Sequence, residues 1–263
     1  VCAMGETADM SGECASRTNL EMPDVQQELL AELAKTGKPI VLLNFAGRPT
    51  VLSWEKEHIP AIMNVWFGGS EMGDALCDVI FGDKVPSGKL TTSMPKTTGQ
   101  EPLYYNHQNT GRPVPDDNEK FAKFASNCLD VSNGPLYPFG YGLSYTTFEY
   151  GDLKLSSHEV NTDDWKITAT INVKNTGSRD ADEVVQLYIR DMVASISRPV
   201  KELKGFQRIH LAAGESREIS FDITPEMLKF YNAELKHVIE PGDFQIMVGG
   251  NSKEVKTQNL TVK

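Results

Sequence analysis

Hydrophobic residues in the first half of the chain change between helical and strand-like spacing. From Pro23 to Gly37 they recur every three or four residues, which predicts an amphipathic helix that starts at Pro23 and ends at Gly37. Apolar runs of strand length follow at residues 39–45 and 61–66. Helices that alternate with such runs predict an α/β layer with buried parallel strands. A second helical face within residues 71–81 contains Met72, Ala75, Leu76, Val79 and Ile80.

Beyond Tyr150 apolar positions alternate with polar ones, so the period changes to two. Turn-forming clusters separate the alternating runs, and short strands at such intervals predict an antiparallel β-sandwich of immunoglobulin or fibronectin type. The segment 197–206 is expected to be a long connection that makes a structural contact. The clearest runs are residues 167–173, 184–189, 217–223 and 244–248.

Between these halves, residues 98–133 follow neither period and are rich in Pro, Gly, Asn and Asp. Compact domains rarely keep so long an irregular segment without a functional reason, and such loops often border active sites. The opening residues Val1 to Met4 have the pattern of a strand already in progress, and no signal peptide precedes them. We therefore expect the chain to be part of a longer protein.

The composition and charge of the chain argue against some classes of binding partner. The 263 residues carry a net charge of −10 without a basic stripe, which argues against a nucleic-acid partner. No run approaches the roughly 20 apolar residues of a membrane span. The 4 cysteines and 5 histidines lack metal-ligand spacing, so neither a metal nor another cofactor is expected, and the cysteines are predicted to be mostly free.

Four segments, taken in chain order, carry a specific pattern of residues. Together they resemble glycoside hydrolase family 3, and the resemblance covers essentially the whole chain. Tyr105-Asn-His-Gln-Asn-Thr-Gly-Arg-Pro and Ser197-Arg-Pro-Val-Lys-Glu-Leu-Lys-Gly-Phe extend the similarity toward the bacterial periplasmic β-glucosidases of that family. The four segments are Ser11-Gly-Glu-Cys-Ala-Ser-Arg, Asn44-Phe-Ala-Gly-Arg-Pro, Trp66-Phe-Gly-Gly-Ser-Glu-Met-Gly with Phe81-Gly-Asp-Lys-Val-Pro-Ser-Gly-Lys-Leu, and Tyr137-Pro-Phe-Gly-Tyr-Gly-Leu-Ser-Tyr-Thr-Thr-Phe.

The resemblance implies a domain organisation. Members of this architecture have a (β/α)8 barrel, then an α/β sandwich, then a fibronectin type III-like domain, and this sequence matches only the part after the barrel. Residues 1–135 are then the C-terminal portion of the α/β sandwich, 136–150 a linker and 151–263 the fibronectin type III-like domain. The missing N-terminal barrel is expected to carry the family's nucleophilic aspartate.

The family's acid/base glutamate lies in a Ser-Gly-Glu context, which Ser11-Gly12-Glu13 matches, so the resemblance assigns the catalytic acid/base role to Glu13. Retaining hydrolysis requires one carboxylate to attack the anomeric carbon and a second to protonate the departing oxygen. Glu6 is a rival because it also follows a glycine at a strand end. Its alternative role is structural.

Other residues favour structural roles. Arg17 is interpreted as a structural ion-pair partner. Trp66 ends an apolar strand, which favours core packing over sugar stacking. Asn44 to Pro49 is expected to shape a turn at the carboxyl edge of the sheet. For the polar loop with Tyr104, Tyr105, Asn106, His107, Asn109 and Arg112, a distal sugar subsite and a solvated surface both stay open.

The resemblance implies part of a retaining, exo-acting β-glucosidase that takes an oligosaccharide or β-glucoside substrate and is periplasmic or secreted. A homodimer is compatible with this picture. A β-xylosidase or arabinofuranosidase of the same family is an alternative, and so is a non-catalytic carbohydrate-binding or scaffold module in which Glu13 has no chemical role.

Overall fold

The first part of the chain forms a parallel sheet with helices, in a computed structural model that describes residues 1–118 and 120–263. The strand order is β1-β2-β3, and both pairings are parallel. The predicted α/β layer is therefore confirmed. Its elements are β1 Cys2–Gly5, α1 Asp24–Ala34, β2 Val41–Phe45, α2 Ser53–His58, β3 Ala61–Asn64 and α3 Met72–Ile80.

The apolar face of α1 packs on the sheet. Leu30 of α1 and Leu42 of β2 are both fully buried, and they share one cluster with Met4, Met22, Ile40 and Ile59. The helix is shorter than predicted, because Thr36 and Gly37 bond three residues back, to Leu33 and Ala34, which tightens its last turn.

The third helix has the predicted apolar face but buries none of it completely. Met72, Leu76, Val79 and Ile80 are all half-buried, and Phe81 just beyond is exposed. An apolar surface of this kind is typical of a contact site for another part of a protein. Within the described residues no helix is long and apolar enough to cross a bilayer.

The second part of the chain is a β-sandwich of two sheets, as predicted, and its pairings are antiparallel except for the parallel pair of β6 and β14. One sheet has the order β10-β7-β4, with β5 also paired to β7, and the other has the order β6-β14-β13-β8-β9. The elements are β4 Phe148–Tyr150, β5 Lys154–Leu155, β6 Glu159–Val160, β7 Ile167–Asn175, β8 Ala181–Asp191, β9 Glu202–Leu211, β10 Ser216–Ile223, α4 Pro225–Leu228, β11 Phe230–Tyr231, β12 His237–Val238, β13 Gly242–Gly249 and β14 Val255–Val262.

The sandwich core follows from the period of two. In β7 every second residue from Ile167 to Val173 is buried, while the middle of β8, residues 185–189, is buried continuously because it is covered on both faces. Leu187 of β8 is completely buried between the sheets. The fold class predicted from the sequence, α/β followed by a β-sandwich, is confirmed.

One part of the prediction is wrong. Residues 197–206 are not a connection throughout, because the strand β9 starts at Glu202 and pairs with β8. The first half of β9 is only half-buried and includes Lys204, so its apolar alternation is weak. The register of the β8–β9 pair also shifts between Leu187 and Tyr188 of β8, which marks a β-bulge.

Contacts between side chains and main-chain carbonyls join the two parts. Gln186 of β8 donates from Nε2 to the carbonyl oxygen of Gly140 at 3.2 Å. Lys89 donates from Nζ to the carbonyl oxygen of Gly142 at 3.1 Å and forms an ion pair with Glu183 of β8 at 3.0 Å. These contacts pair the donors of Gln186 and Lys89 at the contact between the α/β part and the β-sandwich, which we call the seam.

We expect Leu187→Ala to lower the free energy of unfolding by about 2–5 kcal/mol, because it removes a completely buried side chain from the sandwich core. Urea denaturation measures the change. Leu129→Ala is the matched control, since Leu129 is 78% exposed, and its effect should stay within about 0.5 kcal/mol. Equal effects of the two substitutions would contradict the assignment of the core.

Candidate active site at the carboxyl edge of the parallel sheet

The carboxyl ends of β1 and β2 bring two conspicuous segments together. Gly5 of β1 pairs with Phe45 of β2, so Glu6 follows one strand where Gly47 and Arg48 follow the other. Gly5 has φ +136°, and a side chain there would meet the carbonyl oxygen of Phe45 at 1.9 Å. Only glycine allows this approach. This edge is where open α/β sheets bind ligands.

The Glu6 carboxylate is the charged centre of this edge. Its side chain is 1% exposed, and Arg17 donates from Nη1 to Oε1 at 3.1 Å. The Nε atom of Arg48 lies 2.9 Å from the same oxygen. The two groups form an ion pair, but the N–H of Nε is not aligned for a hydrogen bond. The Gly47 N–H donates to Oε2 at 3.2 Å. A buried carboxylate is thereby paired on both oxygens.

These contacts lower the pKa of Glu6 below its ordinary value. Burial by itself would raise that pKa, but the hydrogen bond from Arg17, the N–H of Gly47 and the charge of Arg48 together outweigh burial. Glu6 therefore stays ionised and engaged at neutral pH. A general acid needs the opposite property, a proton to give, so Glu6 is poorly suited to that role.

The loop of residues 11–15 lies over this charged centre and carries Glu13. The Glu13 side chain is exposed and takes part in none of the hydrogen bonds or ion pairs found among residues 1–118 and 120–263. Ser11 packs on Gly47, since a Cβ built on Gly47 would lie 1.9 Å from Ser11 Oγ. The loop is thus seated on the end of β2 with its carboxylate free.

Arg48 also binds the loop that carries Glu13. Its Nη2 donates to the carbonyl oxygen of Ala15 at 2.8 Å and to that of Met10. One guanidinium therefore contacts both Glu6 and the two ends of the loop. The turn expected at residues 44–49 is present, but its arginine has a role that sequence spacing does not reveal.

The other residues considered from the sequence fall outside this cluster or at its margin. Arg17 is a structural ion-pair partner, as interpreted, and it also reaches the carbonyl oxygen of Glu21 at 3.5 Å. Trp66 is half-buried and outside the sheet's apolar cluster, so the core interpretation is wrong. Its φ of +56° turns the chain away once β3 has ended. The next residue, Phe67, is 60% exposed beside Gly47.

The polar loop near Tyr105 faces the β-sandwich. The Tyr105 hydroxyl accepts from the N–H of Leu203 at 3.2 Å, and its ring stacks on Phe139 with centroids 4.2 Å apart. The N–H of Val200 donates to the carbonyl oxygen of His107 at 2.9 Å. These contacts give part of the loop a structural role, while Tyr104 stays exposed.

A second buried carboxylate, Glu55 of α2, has a raised pKa because burial disfavours its charged form. Glu55 is 1% exposed, so it cannot touch a sugar. In the described part of the chain no group of three His, Cys, Asp or Glu side chains could hold a metal ion. All four cysteines are free thiols. Glu13 is thus exposed to solvent at this edge, whereas Glu6 and Glu55 are buried.

Comparison with family profiles identifies the family of the chain. The profile described as "Glycosyl hydrolase family 3 C-terminal domain" matches residues 1–145, more than half of the chain. The chain belongs to glycosyl hydrolase family 3. A fibronectin type III-like profile matches residues 183–252 of the family 3 chain.

Named relatives support the same family. A periplasmic beta-glucosidase of Salmonella typhimurium is 49% identical over 97% of the chain and 33% of its own length. A beta-xylosidase of Formosa agariphila is 42% identical over 100% of the chain and 35% of its own length. The crystal structure of a beta-glucosidase from Listeria innocua in complex with gluconolactone superposes with a TM-score of 0.93 at 40% identity, and it covers 100% of this chain and 36% of that one. The chain spans about a third of the relatives it matches.

We expect Glu6→Gln to destabilise the protein by about 1–3 kcal/mol at pH 7, because hydrogen bonds to a charged group are weakened and two arginines lose their partner. The folded-state pKa of Glu6 is lowered, so its stabilisation is present above the ordinary value of 4.5 and lost as pH falls through the lower, folded pKa. The difference from wild type should therefore shrink below about pH 4.5.

Urea denaturation between pH 3 and pH 7 measures this difference. Glu149→Gln is the matched control, since Glu149 is an exposed carboxylate of β4, and its effect should stay within about 0.5 kcal/mol throughout. A Glu6→Gln effect that did not change with pH would contradict an ionised, paired Glu6.

Proposed function

We propose that this chain is the C-terminal part of a retaining, exo-acting β-glucosidase, with Glu13 as its general acid/base. The nucleophilic aspartate would belong to a (β/α)8 barrel of the same protein, outside residues 1–263. The observation that carries the proposal is the contrast at one sheet edge: Glu6 is buried and fully paired, whereas Glu13 is exposed on a seated loop.

An exposed Glu13 beside a buried Glu6 is compatible with an active site that is shared between this part of the protein and the barrel. In retaining hydrolysis the two carboxyl groups lie about 5–5.5 Å apart on either side of the glycosidic bond. A residue that protonates the leaving oxygen must point outward from its own domain to reach a bond held by the other. Glu13 meets that requirement, and the barrel would exclude water from it when the two domains close on a sugar.

The substrate class rests on the relatives. The Salmonella relative is named a periplasmic beta-glucosidase, and the Listeria beta-glucosidase superposes over the whole chain, which favours terminal β-D-glucosyl residues. The Formosa relative, named a beta-xylosidase, is the observation that favours a second candidate, hydrolysis of β-xylosides. A comparison of nitrophenyl β-glucoside with nitrophenyl β-xyloside separates the two.

The remaining expectations belong to the same proposal. We place the protein in the periplasm or outside the cell, as the Salmonella relative's name suggests. Residues 1–135, 136–150 and 151–263 are proposed as sandwich portion, linker and fibronectin type III-like domain. The homodimer stays a prediction, which the mass of the full-length enzyme in solution would test.

We expect Glu13→Gln in the full-length enzyme to lower kcat/KM for phenyl β-glucoside by about 10²–10⁴-fold, because phenolate leaves poorly without a proton. For 2,4-dinitrophenyl β-glucoside, whose leaving group needs no proton, kcat/KM should change little. Azide should restore turnover by attacking the glycosyl-enzyme without a general base. Initial rates with and without azide, and detection of β-glucosyl azide, measure these effects.

Two variants control this experiment. Glu149→Gln removes an exposed carboxylate of the β-sandwich and should behave as wild type. Glu6→Gln tests the rival. If Glu6→Gln shows the azide rescue and Glu13→Gln hydrolyses phenyl β-glucoside normally, the assignment of Glu13 is wrong.

We further expect residues 1–263 alone to hydrolyse no nitrophenyl glycoside, because the proposed nucleophile lies outside them. The assay compares the purified chain with the full-length enzyme at equal concentration, after circular dichroism has shown that the chain is folded. Turnover by the isolated chain that disappears on Glu13→Gln would place both catalytic carboxylates within it and overturn the division of labour.

A further inference from the structure

The loop that carries Glu13 has a backbone that needs support. Gly12 has φ +129°, a region open only to glycine, and Cys14 has φ +59°, in the left-handed region that costs other residues about 1 kcal/mol. Within the loop, the main-chain bond from Ala15 N–H to the Gly12 carbonyl, at 3.2 Å, is long. The conformation must be held by contacts from outside the loop.

Arg48 supplies those contacts at both ends of the loop. Its Nη2 carries two hydrogens, and the two carbonyl oxygens it reaches, of Met10 and Ala15, bracket Glu13. Bonds from a charged donor are stronger than those between neutral groups. The distance between the two ends of the loop is therefore set by one planar nitrogen.

The guanidinium is itself held in place. Its Nε lies 2.9 Å from Glu6 Oε1, and the side chain of Arg48 is 19% exposed. The same carboxylate is fixed from its other oxygen by the N–H of Gly47, the residue before Arg48. Glu6 thus orients Arg48, and Arg48 orients the loop.

We propose that Arg48 is a positioning residue that sets the reach of the Glu13 carboxyl group toward the glycosidic oxygen, with Glu6 as its anchor. The inference rests on the proposed function, in which Glu13 is the acid/base. Among the described residues Arg48 contacts Glu6 and the two carbonyl oxygens on either side of Glu13, so its effect on the reaction is exerted through the Glu13 loop.

The steps that depend on this position are the two proton transfers. In the first, the Glu13 carboxyl gives its proton to the glycosidic oxygen as the bond to the anomeric carbon breaks and the nucleophile's bond to that carbon forms. In the second, Glu13 takes a proton from water as the water oxygen displaces the nucleophile. A displacement of about 1 Å can cost about 10²-fold in rate.

The test is Arg48→Met in the full-length enzyme, with the two leaving groups compared. We expect kcat/KM to fall about 10- to 100-fold for phenyl β-glucoside and less than about 3-fold for 2,4-dinitrophenyl β-glucoside, because only the first substrate needs the proton. Adding Arg48→Met to Glu13→Gln should cause no further loss on phenyl β-glucoside, since both changes remove one function.

Arg17→Met is the matched control. Arg17 also pairs with Glu6, at 3.1 Å, but its other hydrogen bond goes to the Glu21 carbonyl and not to the loop. Its loss should leave the ratio of the two rates at the wild-type value. Arg48→Lys keeps a positive charge beside Glu6 but lacks the planar guanidinium that reaches both carbonyl oxygens. It replaces Arg48→Met in the test if that variant fails to fold. We expect it to show the same selective loss of activity on phenyl β-glucoside.

The outcomes separate the two proposals. If Glu13→Gln hydrolyses phenyl β-glucoside as wild type does, the proposed function fails. If Glu13→Gln behaves as an acid/base variant but the Arg48 variants lose both substrates equally, lose neither, or add to the loss of Glu13→Gln, the positioning role alone is overturned.

Discussion

The pairing of one buried carboxylate determines the geometry of this sheet edge. Removing a charge from water is costly unless it is paired, and Glu6 meets that requirement with two guanidinium groups and one main-chain N–H. Because Arg17 follows the Glu13 loop in the chain and Arg48 follows β2, the pairing joins β1, β2 and the loop. Both arginines of this edge are thus engaged by the buried Glu6, and the exposed Glu13 has no ion-pair partner among the described residues.

The sequence predicts those helices and strands in which buried residues recur at a regular spacing. The helical face around Leu30 and the alternation in β7 come from residues close in sequence, so their spacing is enough. Strand β9 has no such signal, since its first half is half-buried and charged. The interpretation of Trp66 is wrong because a backbone turn of φ +56° leaves no trace in the pattern of apolar residues.

The site is less predictable than the fold. Glu13 is proposed as the acid/base through a family resemblance alone, because an exposed loop glutamate has no periodic signal. The partnership of Glu6 with Arg48 depends on the register that sets Gly5 opposite Phe45, and residue spacing does not encode that register. Resemblance therefore suggests the reactive group, and only the structure reveals the side chains that hold its loop.

The seam between the two parts constrains substitution at its donors and at its acceptors. Gln186 and Lys89 donate to the main-chain carbonyls of Gly140 and Gly142, and every residue type has a carbonyl. The acceptor positions nevertheless lack room for a side chain. A Cβ on Gly140 would lie 2.0 Å from Gln186 Oε1, and a Cβ on Gly142 would lie 2.2 Å from the carbonyl oxygen of Gly88. Homologues that keep this seam are thus expected to keep a long polar side chain at each donor and glycine at each acceptor.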